Sequence, residues 1–544
     1  MRIDTLLTNA RVQTLDDERP LAHDIGVLHG RVVGLDSDLG TVDARSRIDL
    51  RGATVVPGFN DAHNHMTGFG MSLDELRLSS PPMRSPDDVY DAVAERAAAQ
   101  PAGAWVVGSG YDQNKLGGTH PTRLALDRVA PDHMVWLKHT SGHMAVVNSA
   151  VLRAIGDAPI PDGGVVVRDD RGEPTGLLQE QAQLLVQRLV YPTPVETLVR
   201  AIARASDRYL REGVTSCTEA GVGGGWVGQS PVEVAAYQEA RDRGLLGVRV
   251  RLMVALEALH AVSTHADDGF DTGLDLGIRT GLGDAALRLG PVKIFADGSF
   301  LGRTAALTEA FADEPGNRGY LQWPEDKLRR AILATHDAGW QVATHALGDR
   351  AVDVVLDAYE EAGRRLPRPG ARHRVEHCGL ARPDQVERLA RLRVIPVPQG
   401  PFIGQIGDAM LTALGPERGR WCYRQRSFLD AGLTLPGSSD RPVVAGAPLL
   451  GIHDLVNQKT ASGADYNPQE GLTALQALRA YTLGSAYAAF EEDDKGSVIP
   501  GKLADLAVLS DDPTRVSPER IKDIEVLATF VGGRLAYDGA GHAR

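Results

Sequence analysis

The chain of 544 residues lacks the features that mark secreted, membrane-spanning or nucleic-acid-binding proteins. Its three cysteines, Cys217, Cys378 and Cys422, are far apart and odd in number, which argues against a disulfide framework. It has no apolar run of about 18 residues, and no apolar signal-peptide core follows Met1. Lys and Arg number 58 against 71 Asp and Glu, a net charge of −13, which argues against nucleic acid or an anionic membrane as a partner. The expected location is the reducing cytoplasm.

The order of strand-like and helix-like segments predicts an α/β fold. In the middle of the chain, short β-rich runs alternate with amphipathic helical runs, as in βα units on a parallel sheet. Eight runs are candidate strands: Val55–Phe59, Val214–Glu219, Val250–Ala255, Leu289–Phe295, Gln341–His345, His373–His377, Val394–Val397 and Leu433–Ser438. Eight strands, each followed by a helix, predict a (β/α)8 TIM barrel. The alternative is an open doubly wound sheet, but no Gly-x-Gly-x-x-Gly follows a strand in the required context.

Two further parts of the chain depart from this alternation. Residues 1–58 and 490–544 are rich in short strands, so we expect them to pair into one small β-sandwich domain. The barrel domain then spans residues 59–489. Roughly 150 residues separate the first predicted strand from the second, several times the length of a βα unit. We therefore expect an inserted, substrate-proximal subdomain at residues 78–191, over one face of the barrel.

The predicted barrel strands end in residues that bind metals. His63 and His65 follow the first strand, and at an i, i+2 spacing in an extended segment their side chains point the same way. The later strands carry Lys293 or end in His345, His377 and Asp440. Because the carboxyl ends of barrel strands share one face, we expect a site for two divalent metal ions there. Taken alone, the His63 and His65 pair is equally well explained as a surface pair, and a single strand-end histidine such as His345 or His377 is more often a hydrogen-bonded structural residue than a ligand.

The donor types indicate the ion and its chemistry. Neutral imidazole and carboxylate suit zinc, so two Zn2+ ions are the expected cofactors. Two ions about 3.5–4 Å apart need an anionic bridge, and Lys293 supplies one if its amine reacts with carbon dioxide to form a carbamate. The alternative for Lys293 is an ion pair with an internal acid such as Asp297. Asp440 would contact one ion, take a proton from the attacking water and deliver it to the leaving nitrogen.

Five segments together resemble the metal-dependent amidohydrolase superfamily, specifically amidohydrolase family 3, the branch that includes N-substituted formamide deformylases. They are Pro57-Gly58-Phe59-Asn60-Asp61-Ala62-His63-Asn64-His65, Lys293 with Asp297-Gly298-Ser299, His345 with Gly348-Asp349-Arg350-Ala351, Arg374-Val375-Glu376-His377, and Gly437-Ser438-Ser439-Asp440. The run Pro500-Gly501-Lys502-Leu503-Ala504-Asp505-Leu506 is similar to the family's return to its small β-domain. The resemblance covers nearly the whole chain and is specific for the family, but it does not indicate the substrate.

The resemblance implies a role for each of these residues. His63 and His65 would bind one metal and His345 and His377 the other, with carbamylated Lys293 between them and Asp440 as the acid–base. It also implies that His143, Asp112 and Glu180, within the expected insertion, lie near the substrate. From the residues alone, Asp112 and Glu180 are equally well explained as hydrogen-bonded structural side chains.

We therefore expect a hydrolase that cleaves an amide-type C–N bond, N-formyl or N-acyl, of a small molecule through a metal-bound hydroxide. A mononuclear deaminase would place a glutamate three residues after His345, where this chain has Gly348. A lactam or ester hydrolase and a non-catalytic regulatory protein are further alternatives. The aromatic residues Trp105, Tyr111 and Trp136 of the insertion suggest a substrate with an apolar or aromatic substituent. The expected partner is the small-molecule substrate, and a homodimer is left open.

Overall fold

The computed structural model describes residues 2–541 and begins with seven short strands. They are β1 (Arg2–Thr8), β2 (Arg11–Gln13), β3 (Leu21–Ala22), β4 (Ile25–Leu28), β5 (Arg31–Leu35), β6 (Asp43–Asp49) and β7 (Thr54–Pro57). A two-residue turn, His29-Gly30, joins β4 to β5 with both residues at positive φ, the type I′ geometry that matches the twist of a hairpin. Strands β5, β4, β1 and β6 form a four-stranded sheet in that order.

The first barrel strand is β8 (Phe59–Asn64), followed by α1 (Met66–Ser72). The single strand predicted at Val55–Phe59 is wrong, because the chain passes at Gly58 from β7 in a terminal sheet to β8 in the barrel. A Cβ at Gly58 would lie 2.2 Å from the Thr215 hydroxyl, so this crossing point has room only for glycine. The division places His63 within the barrel strand and His65 just after it.

Between the first two barrel strands, the chain forms a separate sheet. Its strands are β9 (Leu76–Arg77), β10 (Trp105–Tyr111), β11 (Met134–His139), β12 (Met144–Val147), β13 (Gly164–Arg168) and β14 (Pro174–Glu180), in the order β13-β14-β12-β11-β10-β9. The helices of this region are α2 (Pro86–Ala98), α3 (Arg123–Val129) and α4 (Ser149–Ile155), and α5 (Leu184–Val190) and α6 (Val195–Arg211) lead back to the barrel. Apart from β9, which ends just before residue 78, this sheet lies within the predicted insertion. The standing of residues 78–191 as a subdomain stays a prediction.

The central sheet is a nearly closed parallel barrel of seven strands. Besides β8, its strands are β15 (Val214–Val222), β16 (Arg249–Ala255), β19 (Leu287–Phe295), β20 (Val342–Ala346), β21 (Arg374–His377) and β22 (Ile395–Val397). Their order is β22-β21-β20-β19-β16-β15-β8. Between β16 and β19 the chain forms a separate two-stranded sheet of β17 (His260–Ala261) and β18 (Thr272–Gly273). The mixed α/β barrel expected from the strand count is therefore confirmed at this level, and the alternative of an open doubly wound sheet is not what the chain forms.

The eighth predicted strand, Leu433–Ser438, has no regular secondary structure and is not a strand of the sheet. Pro436 has no N–H to donate, which limits the hydrogen bonds that this segment can form. The segment still lies between the two edges of the barrel, because the Ala62 N–H donates to Gly437 O at 2.9 Å and the Ser438 hydroxyl donates to Pro398 O at 2.9 Å. It thus leads to Asp440 at the same end of the barrel as His63.

The later helices connect or follow the barrel strands. They are α7 (Glu233–Asp242), α8 (Glu325–Asp337), α9 (Asp349–Arg365), α10 (Pro383–Leu392), α11 (Phe402–Gly419), α12 (Gln425–Asp430), α13 (Pro448–Asn457), α14 (Ala474–Arg479) and α15 (Ser485–Ala488). On α6, Leu198, Ile202, Ala205 and Tyr209 are buried at helical spacing and pack into the main core with the strands. None of the helices in residues 2–541 combines the length and apolarity needed to cross a membrane.

The last strands return to the first. They are β23 (Leu506–Leu509), β24 (Val526–Val531) and β25 (Arg534–Asp538), in a six-stranded sheet of order β25-β24-β23-β7-β2-β3. Strand β23 pairs antiparallel with β7, and Val12, Val55, Leu506 and Phe530 share one apolar core. Strands from both ends of the chain therefore lie in one sheet. The division into domains at 1–58 with 490–544 and at 59–489 stays a prediction, and its residues 1 and 542–544 lie outside the described part.

Candidate metal centre

The strand ends of the barrel bring the predicted ligands to one cavity. His65, Lys293, His345, His377 and Asp440 all line it, and its volume is about 690 Å3. Lys293, His345 and His377 lie toward the carboxyl ends of the parallel neighbours β19, β20 and β21, and so at one end of the barrel. His63, fully buried, lies directly beneath this surface. All six predicted ligands are therefore found in one region.

Three of these side chains form the tightest group. One donor atom each of His63, His377 and Asp440 lies within 4.8 Å of the others. The Asp440 carboxylate also approaches both histidines of the first strand, since its Oδ1 is 3.3 Å from His63 Nε2 and 3.2 Å from His65 Nε2. His345 joins the group through His377, at 4.6 Å between ring centroids. The group has the composition of a site for a divalent transition metal.

Buried acceptors fix the orientation of the imidazole rings. Nδ1 of His63 donates to the Glu376 carboxylate, and Nδ1 of His377 donates to Gln399 Oε1 at 2.7 Å. Each ring thereby keeps Nε2 as the nitrogen that faces the group, the arrangement that metal-binding histidines usually show. That of His63 lies 3.3 Å from both Lys293 Nζ and Asp440 Oδ1. His345 is held the other way round, because its Nε2 donates to Gly298 O at 3.0 Å and Nδ1 is left free. These contacts fit the donor set to a metal.

Burial sets the charge of the donors. It lowers the pKa of His377 to about 3 and that of His345 well below its ordinary value, so both rings are neutral at pH 7. Burial alone would raise the pKa of Asp440, but the hydrogen bonds from His63 and His65 outweigh it and hold that pKa well below its ordinary range. Neutral imidazoles and an ionised carboxylate are the forms that bind a metal cation.

Lys293 faces this group without a carboxylate partner. Within residues 2–541 it forms no ion pair; its Nζ lies 3.3 Å from His63 Nε2 and 4.7 Å from the centroid of the Phe295 ring. Burial lowers its pKa to about 8. The alternative partner considered from the sequence, Asp297, is engaged elsewhere, since its carboxylate accepts the backbone N–H groups of Ala306, Leu347 and Gly348 at 2.8–3.0 Å. The structure therefore does not form the Lys293–Asp297 pair.

The three residues expected near the substrate have different surroundings. His143 lines the cavity, with its ring centroid 5.1 Å from that of His345, and its Nδ1 donates to Glu180 Oε2 at 2.7 Å. Glu180 is itself fully buried and also accepts from Thr304 and Gln322, so it lies behind His143 and not on the cavity wall. Asp112 lines the cavity. Its Oδ1 caps a short 3-10 helix at Asn114, and its buried Oδ2 has no partner among the described residues.

The aromatic wall of the cavity differs from the one expected. Trp136 lines it, but Trp105 and Tyr111 are not among the lining residues, and Tyr111 packs against His139 inside the insertion sheet. Phe69, Tyr191, Trp226 and Phe295 also line it, and the rings of Trp226 and Phe295 lie 4.8 Å apart. The indole nitrogens of Trp136 and Trp226 are buried without hydrogen-bond partners in the described chain. The cavity thus combines apolar surface with unpaired polar atoms.

Comparison with known proteins assigns the family. Residues 47–537 match the amidohydrolase family. The chain belongs to the amidohydrolase family. This amidohydrolase is 32% identical, over 90% of both chains, to the putative amidohydrolase YtcJ of Bacillus subtilis, strain 168. It is 30% identical, over 99% of both chains, to the N-substituted formamide deformylase of Arthrobacter pascens.

A solved structure agrees with this assignment. A metal-dependent hydrolase from Pyrococcus horikoshii OT3 is 27% identical to this amidohydrolase, with a TM-score of 0.73 over 94% of this chain and 99% of that one. The resemblance drawn from the sequence motifs is therefore confirmed, and the chain is a hydrolase of the amidohydrolase family with residues suited to hold a metal.

Several residues of the amidohydrolase site had no role assigned from the sequence. Glu376 and Gln399 hydrogen-bond to the candidate ligands His63 and His377, and Trp226 and Phe295 line the cavity. Glu376 had a signal: Arg374 and Glu376 are opposite charges at an i, i+2 spacing in an apolar strand, and Arg374 Nε donates to Glu376 Oε1 at 2.7 Å. Gln399 and Trp226 lie in loops, where nothing in the local sequence pattern indicates which way a side chain points.

Proposed function

We propose that this amidohydrolase cleaves an amide-type C–N bond, N-formyl or N-acyl, of a small molecule at a centre for two divalent metal ions. The observation that carries the proposal is the position of Asp440. Its carboxylate contacts both His63 and His65 and opens to a cavity large enough for a small organic substrate. The similarity to an N-substituted formamide deformylase over 99% of both chains supports the same bond type.

In this proposal His63 and His65 hold one ion, His345 and His377 hold the other, and Asp440 contacts the first. Zn2+ is the ion that imidazole and carboxylate donors favour here. Lys293 would bridge the two ions after its amine takes up carbon dioxide, forming an N–C bond and releasing one proton. Lys293 forms no ion pair in residues 2–541, which supports this modification: the charges of Glu376 and Asp440 offset only part of the burial that lowers the pKa of its ammonium.

When bound, the metal ions would supply a Lewis acid for the substrate carbonyl and a water whose pKa is lowered to about 7. Asp440 accepts the proton of the attacking water at its carboxylate and returns it to the nitrogen that leaves. His143, its Nδ1 held by Glu180, presents Nε2 as the free ring nitrogen for the substrate. Asp112 Oδ2, buried and unpaired, accepts a substrate N–H group in this proposal.

One feature of the loop after β20 argues against the deaminase alternative. The position three residues after His345 is Gly348, and a Cβ there would lie 1.9 Å from Ala306 O. The backbone N–H of Gly348 also donates to Asp297 Oδ2 at 2.8 Å. A proton-shuttling glutamate therefore cannot stand at this position without rebuilding the loop.

A substrate panel tests the proposed function. The zinc-loaded protein is assayed with N-formyl amines, N-acyl amines, lactams and esters that carry small alkyl or aryl substituents. We expect hydrolysis of the formyl or acyl amides, and His143→Ala should lower kcat/KM for them by at least about tenfold while the metal content stays unchanged. Turnover of lactams or esters alone would overturn the proposed bond type, and loss of metal in His143→Ala would remove that residue from substrate binding.

A further inference from the structure

A second cavity lies at the opposite end of the barrel from the metal centre. Its volume is about 430 Å3. It is bounded by residues at the amino-terminal ends of neighbouring strands: Arg251 near the start of β16, Arg288 near the start of β19 and Arg374 at the start of β21. Lys293 and His377 lie further along the same β19 and β21 strands, at their carboxyl-terminal parts. The two cavities are therefore separated by the length of the barrel strands.

The charged residues that line this cavity are all arginines. Five arginines line it, and no Asp or Glu is among its described lining residues; the arginines are Arg251, Arg279, Arg288, Arg368 and Arg374. Apolar groups complete the wall, including Leu289, Pro291 and Phe490. In a chain with 13 more acidic than basic residues, a cavity lined by five guanidinium groups is not what the overall composition predicts.

Only two of the five arginines have an acidic partner. Arg251 pairs with Glu491, and Arg374 pairs with Glu376. Arg368 donates only to backbone carbonyls, those of His336, Gly339 and Trp340, at 2.6–2.9 Å. Arg279 and Arg288 have no ion pair within residues 2–541, and the Nε of Arg288 is buried without a partner.

The acids around the cavity are already occupied by other cations. Glu491 also binds Lys495, at 2.5 Å, and Asp337 pairs with Arg365 at 2.9 Å. Asp284 is largely exposed and contacts Arg241 at 3.5 Å. Burial, with repulsion from Arg288 and Arg249, lowers the pKa of Arg251 to about 9. The positive charge of the cavity therefore exceeds what the protein neutralises.

We propose that this cavity binds a small molecule that bears a phosphate group. Guanidinium groups bind phosphate oxygens through paired N–H donors, and a phosphate carries close to two negative charges at pH 7. That charge suits the three arginines that lack an acid, whereas a single carboxylate would leave more of their charge uncompensated. The apolar wall at Leu289, Pro291 and Phe490 would contact the organic part of a phosphate ester, and the volume suits a small ligand.

Calorimetric titration of the full-length, metal-loaded protein tests this site. The probes are inorganic phosphate and adenosine monophosphate, with sodium chloride at matched ionic strength as the reference. We expect saturable binding of a phosphate probe with a Kd below about 1 mM, weakened at least about tenfold in Arg279→Gln/Arg288→Gln. Tighter binding of the nucleotide would identify a phosphate ester as the ligand, and equal affinities would identify the free anion.

The control is Arg128→Gln, an exposed arginine on α3 outside the cavity, which should bind the probes like the wild type. Arg279→Gln alone changes an exposed side chain and should by itself weaken binding, which keeps the test interpretable if the double variant folds poorly. Two results would overturn the proposal: no binding of either phosphate probe, or unchanged affinity in both cavity variants. Neither result would affect the proposed hydrolysis at the other end of the barrel.

Discussion

At the scale of single residues, backbone strain coincides with the proposed chemistry. Asp440 has a φ of 58° and His377 a φ of 67°, in the left-handed region that residues other than glycine seldom adopt. Such conformations persist only where surrounding contacts hold them. For Asp440 the backbone N–H donates to His63 O at 2.7 Å, which ties the residue to the first barrel strand. The strain is thus associated with placing the carboxylate between His63 and His65.

Asp440→Asn should separate catalysis from structure. An amide cannot take up the proton of the attacking water, so we expect kcat to fall by at least about a hundredfold. The side chain is isosteric, so the melting temperature and most of the metal should be retained. Steady-state kinetics and elemental analysis check both parts, with the exposed Asp207→Asn on α6 as the control. Activity near that of the wild type would remove Asp440 from the acid–base role.

At the scale of elements, the succession of strands along the chain could be predicted from the sequence, but the side-chain contacts between different strands could not. His345 and His377 could be placed because each ends an apolar run between helical segments, and parallel strands put such ends together. The role of Glu376 could not, because its partner His63 lies 313 residues away in sequence. The break at Gly58 was also missed, since Thr54–Asn64 is buried throughout and the two strands separate only through their different neighbours.

Gly58→Ala tests the packing between the terminal sheet and the barrel. The added Cβ would meet the Thr215 side chain at 2.2–2.8 Å, so we expect the free energy of unfolding to fall by about 1–3 kcal/mol. Gly363→Ala is the matched control, because at this exposed position in α9 no atom lies within 4 Å of the new methyl group. Alanine favours a helix over glycine, so the free energy of unfolding of this variant should rise by up to about 1 kcal/mol. Equal stabilities of the two variants in urea unfolding would contradict the tight crossing at Gly58.

Glu233, the first residue of α7, predicts a specific pH dependence. Burial and the nearby Glu219 raise its pKa from 4.5 to about 8. The folded chain then keeps a proton that the unfolded chain loses above pH 4.5, so this group's contribution to stability falls as the pH rises from 4.5 to about 8. Glu233→Gln cannot lose that proton. Its stability relative to the wild type should rise with pH, by up to about 1.4 kcal/mol per unit. The two free energies of unfolding are measured in urea from about pH 5 to 8. A constant difference between the wild type and Glu233→Gln over this range would refute the raised pKa of Glu233.

At the scale of the whole molecule, the two ends of the barrel differ in the residues that line their cavities. The carboxyl end gathers imidazoles, a carboxylate and Lys293 around the larger cavity, and the sheet inserted after β8 adds His143, Asp112 and Trp136 to its wall. Five arginines line the cavity at the amino end. The residues proposed as metal ligands could be picked out from strand ends, but the arginine cavity could not. Arg279 and Arg368 lie outside the strands, and only the folded chain brings them to Arg251 and Arg288.

The number of divalent ions bound per chain tests the central claim most directly. The protein is loaded with Zn2+, freed of unbound metal by gel filtration and measured by elemental analysis beside Lys293→Ala. The account predicts two ions per wild-type chain and fewer in Lys293→Ala, because the bridge between the ions is lost. One ion per wild-type chain, or an unchanged count in Lys293→Ala, would contradict the bridged centre, and no bound ion would contradict the metal centre altogether.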